Sequence, residues 1–208
     1  GDMARKKALA GAARAGVLKR ATEAIKDPLE LAPDRRMFCE FETQSFSAAE
    51  LPAPLLEWAF SILEGNMRAL YEGSWGWNPT DKRAEMTHKA SRFLVVFAPG
   101  AGGPAAAEND TRQPVAFMLY RFLVDAGSPV LYVYELQTSE SARLRGLGRH
   151  LMETAEAVAT AAKMDKVVLT VFVANKGAVA FYTKLKYGLD STSPSGETYR
   201  ILSKKMKP

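Results

Sequence analysis

Between Leu131 and Met152 the sequence passes from Leu-Tyr-Val-Tyr-Glu-Leu-Gln through Arg143-Leu-Arg-Gly-Leu-Gly into an Ala-rich segment. The β-branched and aromatic run from Leu131 to Gln137 predicts a strand. Leu147, Leu151, Ala155, Val158 and Ala162 then recur at spacings of four and three, which mark one face of a helix. A strand that feeds a helix through a turn with two glycines has a physical use. Glycines let backbone approach an anion, and the first N–H groups of a helix, still without partners, point at it. Arg143, Arg145 and Arg149 add positive charge at the same place. The turn therefore reads either as a phosphate or pyrophosphate cradle or as a solvated strand-to-helix connection. It is not a Walker loop, which needs Lys-Ser/Thr after its last glycine, nor the three-glycine dinucleotide fingerprint.

A chain of 208 residues is most economically one domain, long enough to bury a core without staples. A hydrophobic share of 47% with 25% charged residues is that of a soluble globule. Cys39 is the only cysteine, so there is no disulfide framework and a reducing, intracellular setting is expected. Cys39 sits in an apolar run and reads as a buried bystander rather than a nucleophile. No apolar run approaches the length of a membrane span, and no signal-peptide core opens the chain. The net charge of +5 is concentrated near the ends, in Arg5-Lys-Lys and Lys204-Lys-Met-Lys, which reads as solvated termini, so no specific nucleic-acid partner is expected.

Ala4 to Lys26 carries Leu9, Ala13, Val17, Ala21 and Ile25 every four residues and predicts a helix that ends at Asp27-Pro28. Met37 to Phe46 alternates as a first strand. Ser47-Ala-Ala-Glu50 has the pattern of a capping box ahead of a helix that runs to about Tyr71 and closes at Gly73. Trp75-Gly-Trp-Asn-Pro is a turn with two large aromatics that either plug the core or wall a pocket. A short charged helix follows from Asp81 to Met86. Ser91–Phe97 and Val115–Val124 read as two arms of a β-hairpin around a surface loop, Ala98 to Gln113. Lys166 to Val173 is nearly continuous in apolar residues, as strands buried on both faces are. Asn175 begins a helix with Ala178, Phe181 and Leu185 inward, and Thr198 to Lys204 makes the last strand after a polar loop, Ser191 to Glu197. His88 and His150 have no partners at metal-ligand spacing with Cys39, so no metal site is expected; both read as surface or capping residues, with His150 close enough to the Arg143–Gly148 turn to touch a phosphate.

Arg143-x-x-Gly146-x-Gly148 resembles the Gln/Arg-x-x-Gly-x-Gly/Ala signature of the GCN5-related N-acetyltransferases, the GNAT superfamily. Asn175-Lys-Gly-Ala-Val-Ala-Phe-Tyr-Thr-Lys-Leu resembles that family's Asn-x-x-Ala-x-x-Phe-Tyr-x-Lys-Leu helix. Asn66-Met, Leu70-Tyr-Glu, Trp75-Gly-Trp, Leu131-Tyr-Val-Tyr-Glu-Leu-Gln, Leu169-Thr-Val-Phe and Ser193-Pro-Ser are similar to the N-alpha-acetyltransferase D (NatD) type, the histone N-terminal acetyltransferases, over about residues 22 to 203. The resemblance implies an α/β GNAT fold, a mixed central β-sheet flanked by helices. An extra N-terminal helix (1–26) would pack on an acetyltransferase domain (27–208), a monomer being expected.

It also implies acetyl-CoA as cofactor, with the pyrophosphate on Arg143, Leu144, Arg145, Gly146, Leu147 and Gly148. Leu136 and Gln137 would hold the acetyl and pantetheine by backbone groups, and Asn175 would lie near the cofactor, though it reads equally as a helix cap. Acetyl transfer to an amine needs a polarised carbonyl, an unprotonated amine and a protonated leaving thiolate. Glu135 is the implied base within a catalytic Tyr134-Glu135 pair; read by alternation alone, Glu135 faces solvent. Tyr182 is implied either as an acid for the thiolate or as a CoA contact, and by spacing alone is a core tyrosine. Tyr71, Trp75, Tyr132, Tyr134 and Thr192 would line the site for a peptide beginning Ser-Gly, with a carboxylate to select the arginine that follows. The acidic residue expected in Arg121-Phe122-x is Leu123 here, leaving Asp125 as the nearby carboxylate. The implied partners are histone tails that begin Ser-Gly-Arg-Gly, met in nucleus and cytoplasm.

Overall fold

The computed structural model of the chain describes residues 13–19, 21, 25–100 and 112–206. Of the helix expected over Ala4 to Lys26, residues 13–19 and 21 are helical (α1), while 4–12, 20 and 22–24 lie outside the described residues. Ala21 is buried in the core, with Val17, Leu18 and Ile25 packed against the same cluster. The surface loop expected between the hairpin arms lies, over 101–111, outside the described residues as well.

Among the described residues eight strands form one sheet: β1 (Met37–Phe38), β2 (Phe41–Ser47), β3 (Arg92–Ala98), β4 (Gln113–Asp125), β5 (Ser128–Thr138), β6 (Lys166–Phe172), β7 (Gly188–Leu189) and β8 (Tyr199–Lys205). Their spatial order is β1-β2-β3-β4-β5-β6-β8-β7, and every neighbour pair is antiparallel except β5 with β6. The parallel pair requires a crossover, which α4 (Leu147–Ala161) supplies. The other helices are α2 (Ala53–Glu72), α3 (Pro79–Met86) and α5 (Lys176–Lys184).

Alternation along the strands divides the core between two faces. Phe93, Val95 and Phe97 of β3 join Phe117 and Leu119 of β4 under α2 and α3, against Phe60, Leu63 and Met86. Leu94, Val96, Met118, Tyr120 and Phe122 point the other way, toward Leu147, Leu151, Ala155 and Val158 of α4. Leu63 is fully buried, so its truncation to Ala would cost about 2–5 kcal/mol. β4 returns to β5 through Ala126 and Gly127, whose φ values of 45° and 82° suit the two-residue turn that right-twisted strands favour.

Three local expectations are corrected. The first strand breaks into the hairpin β1–β2 because Cys39 adopts φ 53° at its turn; Cys39 is exposed, not buried. The amide and hydroxyl of Ser47 do donate to Glu50, at 3.1 and 2.7 Å, but they close a separate turn, and α2 starts later at Ala53 behind Pro52. His150 is 2% exposed rather than on the surface. Its Nε2 lies 2.8 Å from Thr43 Oγ1 and its ring stacks on Phe38 at 4.9 Å, fastening α4 to the first hairpin.

Candidate active site

Two irregularities in β5 create the site. The parallel pairing of β5 with β6 runs from Val130·Lys166 to Val133·Leu169 and stops. Beyond it β5 stays with β4 as far as Thr138, whereas β6 continues with β8, so the two strands part around a cavity of about 340 Å³. At the same point Leu119 pairs with Glu135 and Tyr120 with Val133, which leaves Tyr134 as one extra residue on β5. A bulge of this kind shifts the alternation by one. Leu131 and Val133 face α4; past the bulge Leu136 does, while Tyr134, Glu135 and Gln137 all turn toward α2 and α3.

Glu135 is 4% exposed, and its carboxylate is surrounded by donors. Oε1 accepts from Tyr71 Oη at 2.9 Å and from Lys82 Nζ at 3.1 Å, and Oε2 accepts from Gln137 Nε2 at 3.0 Å. Lys82 Nζ also donates to Tyr71 Oη at 2.7 Å and Glu85 Oε1 at 2.8 Å, so its three N–H groups meet three acceptors. Burial pushes the Glu135 carboxyl above the usual carboxylate range, against the pull of Lys82 and Gln137. Burial works against the Lys82 charge, but Glu135, Tyr71 and Glu85 outweigh it and hold the ammonium protonated. Burial, then the Glu135 charge, raises the Tyr71 phenol, so it donates and does not ionise.

The cleft has aromatic walls. Tyr71, Trp75 and Phe172 cluster on one side, the Phe172 ring edge-on to the other two at 5.1 and 4.8 Å. Trp75 is 53% exposed and also meets Tyr199 edge-on, so it is a wall and not a core plug. Trp77 packs into the core beside Phe60 and donates its Nε1–H to Glu64 at 3.2 Å. Tyr132 and Tyr134 lie side by side on β5; the first hydroxyl sits 2.6 Å from Thr170 Oγ1, and the second ring lies beneath the Arg121 guanidinium at 4.3 Å. From α5 come Ala178, Asn175 and Tyr182. Asn175 Oδ1 caps the helix by accepting from Ala178 N at 3.1 Å. Tyr182 is 8% exposed, and burial raises its phenol well above the ordinary value, making it a hydrogen-bond donor but an uphill source of a proton.

At the end of β5 the Arg143–Gly148 turn is open to solvent. Leu144, at φ 63°, is fully exposed, and Gly146 caps α4 at φ 84° with no side chain on the helix N-terminus. A Cβ on Gly146 would come 3.1 Å from Phe38, and one on Gly148 3.3 Å from Phe181. Leu147 is buried and anchors the turn. Arg145 pairs with Glu40 and lies over Phe41, while Arg143 donates to Asn66 Oδ1 at 2.8 Å. Asn66 Nδ2 in turn donates to Gln137 Oε1 at 3.1 Å, which joins the turn to Glu135 through side chains alone.

Two expected substrate contacts fall elsewhere. Asp125 is paired with Ser128 at the tip of the β4–β5 hairpin and does not line the cleft. Thr192 gives both its amide and hydroxyl to Asp190 Oδ1, at 3.0 and 2.8 Å, holding the polar loop; it does not line the cleft either. Leu123, opposite Val130 on β4, is likewise outside it. Lys82 and Glu85 are site residues that sequence reasoning missed, their helix reading only as short and charged. The available signal was Met86, four residues after Lys82 and so on the same helix face.

The sequence profile of the Acetyltransferase (GNAT) family matches residues 63–187, more than half of the chain. The chain belongs to the GNAT acetyltransferase family. Solved structures agree in fold: an acetyltransferase from Streptococcus agalactiae superposes with a TM-score of 0.59 at 14% identity, covering 81% of this chain and 100% of its own. The NatC complex bound to Gag peptide and CoA gives 0.57 at 11% identity over 81% and 99%. The ribosomal-protein-S18-alanine N-acetyltransferase from Escherichia coli gives 0.53 at 16% over 80% and 95%. The mixed sheet with helices on both faces is the GNAT fold. Among the described residues no group of three or more His, Cys, Asp or Glu could hold a metal ion, and no helix is long and apolar enough to cross a membrane.

Proposed function

We propose that this GNAT protein is an N-alpha-acetyltransferase, moving acetyl from acetyl-CoA to the N-terminal α-amine of proteins, foremost histones that begin Ser-Gly-Arg-Gly. The observation that carries this is the Glu135 carboxylate, buried and raised in basicity, at the point where β5 and β6 part inside an aromatic-walled cleft. An α-amine has a pKa near 8, within reach of such a carboxylate, whereas a lysine side chain near 10.4 demands a stronger base. Of the proteins that share the fold, one is named a ribosomal-protein-S18-alanine N-acetyltransferase and another, NatC, is described bound to Gag peptide and CoA; the Tyr134-Glu135 segment resembles the NatD type.

The chain fits the cofactor. The start of α4, which no side chain caps, and the solvent-open turn before it suit a pyrophosphate, and the gap beyond Val133 suits a pantetheine arm beside Leu136 and Gln137. Acetyl-CoA would supply the activated acyl group as a thioester. Glu135 takes the amine proton; Tyr182 donates a hydrogen bond on the leaving-sulfur side; Tyr71, Trp75, Tyr132 and Tyr134 enclose the first residues of the peptide. For the arginine, the carboxylates in place are Glu85 and Asp81, which line an adjoining cavity of about 440 Å³ with Trp75 and Trp77. Such an enzyme would meet its histones in cytoplasm and nucleus.

Mass spectrometry after incubation with acetyl-CoA and a Ser-Gly-Arg-Gly-Lys peptide tests this. One acetyl on the free α-amine, lost when that amine is blocked, is the expected result. Acetyl on the blocked peptide's lysine would move the enzyme to the side-chain class, and CoA binding without product would make it a binding module.

A further inference from the structure

One buried ionised group has no part in the chemistry above. Lys82 extends from α3 into the cleft wall with its side chain 10% exposed, and it pairs with a carboxylate whose own side chain is 3% exposed. Lysine is rarely buried to that degree unless paired. Here every N–H is placed: one on Glu135, one on Tyr71, one on Glu85.

We propose that Lys82 is a positioning residue for acetyl transfer, holding the Glu135 carboxylate charged and aimed into the cleft so that it can accept the amine proton. The proposal rests on the assignment of Glu135 as base. A carboxylate this deep, left to burial alone, would take up a proton and turn from acceptor to donor. The groups that face it are Tyr71 from α2, Lys82 and Glu85 from α3, Gln137 on its own strand, and Tyr182 from α5. Arg121 of β4 stands one step away, over Tyr134 and bonded to the Glu85 carbonyl. Of these, Lys82 alone brings a positive charge into contact with the carboxylate. It also aims it: Lys82 and Tyr71 both hold Oε1, and Gln137 holds Oε2. Glu85 keeps the ammonium in place from the solvent side.

The test is the titration of Glu135 itself, read without substrate by NMR of protein carrying carbon-13 at the glutamate carboxyls; the Glu135 signal is the one absent from E135Q. In K82M the midpoint is expected to rise by one pH unit or more, a tenfold gain in proton affinity, while K82R stays within about half a unit of the parent. A K82M midpoint within about 0.3 unit of the parent would overturn the proposal. Should K82M not fold, K82Q read in the same way decides: its Glu135 midpoint is expected to rise by about one pH unit or more, and a midpoint unchanged from the parent would overturn the proposal. In turnover, the acidic limb of kcat/KM for the peptide should follow the carbon-13 midpoints, where a merely structural lysine would lower the rate equally at every pH. A moved midpoint in a protein that acetylates no peptide would leave the Lys82–Glu135 coupling standing and remove the N-alpha-acetyltransferase reading, and with it the positioning role.

Discussion

Tyr134 and Glu135, adjacent in the chain, point to the same face of the sheet. The bulge at Tyr134 brings this about, since Leu119 and Tyr120 on β4 are opposed by Glu135 and Val133. A regular strand would have sent Glu135 toward α4 and the apolar cluster there, where an unpaired carboxylate would cost several kcal/mol. The bulge instead delivers it to Tyr71 and Lys82 at the mouth of the gap between β5 and β6.

Tyr71 is the hub of that arrangement, donating to Glu135 and accepting from Lys82. The variant Y71F removes both contacts and leaves one buried N–H of Lys82 unpaired. Thermal or urea unfolding should show a loss of about 1–3 kcal/mol, and kcat/KM for the peptide should fall about tenfold. Full activity with parental stability would show that the network does not position the base.

Much of this was legible in the sequence. The helical period of Leu147 to Ala162, the β-branched runs and the hairpin arms identified the elements that carry the site, because period and composition are local properties. The bulge was not legible: strict alternation sets Glu135 opposite Tyr134, and nothing in Tyr-Val-Tyr-Glu says where the extra residue falls. Asp125 and Thr192 were misplaced for a related reason, since strand pairing and a local Asp190 turn decide where their side chains go. Lys82 was missed, and His150 misread as a surface or capping residue, because a buried charge or imidazole is defined by its partners, here Glu135 and Thr43, which lie far away in the chain.

The turn before α4 makes a separable prediction. Gly146 and Gly196 both hold positive φ, at 84° and 79°, but only a Cβ on Gly146 meets a neighbour, Phe38. Each Gly→Ala change costs about 1–2 kcal/mol of backbone strain. Calorimetric titration with CoA should find binding weakened about tenfold in G146A and unchanged in G196A. Equal affinities in the two variants would take the pyrophosphate away from this turn.

His150 predicts a pH dependence of stability. Burial, then the nearby Arg35 charge, lowers its folded-state pKa below the ordinary value of about 6.5. Below that pH the unfolded chain binds the proton more readily, so stability falls as pH drops from about 6.5 toward the folded value and is unaffected above it. Urea unfolding at about pH 5.5 and about pH 7.5 should show a smaller difference in H150Q than in the parent. An identical difference in both proteins would mean that His150 is not held neutral.

The central claim is that the Glu135 carboxylate receives the proton of the acceptor amine. Single-turnover acetylation of the Ser-Gly-Arg-Gly peptide by E135Q, with CoA affinity measured on the same preparation, tests it most directly. The account predicts a rate lowered by about 10²–10⁴ with CoA affinity within about twofold of the parent. Parental rates in E135Q would contradict it.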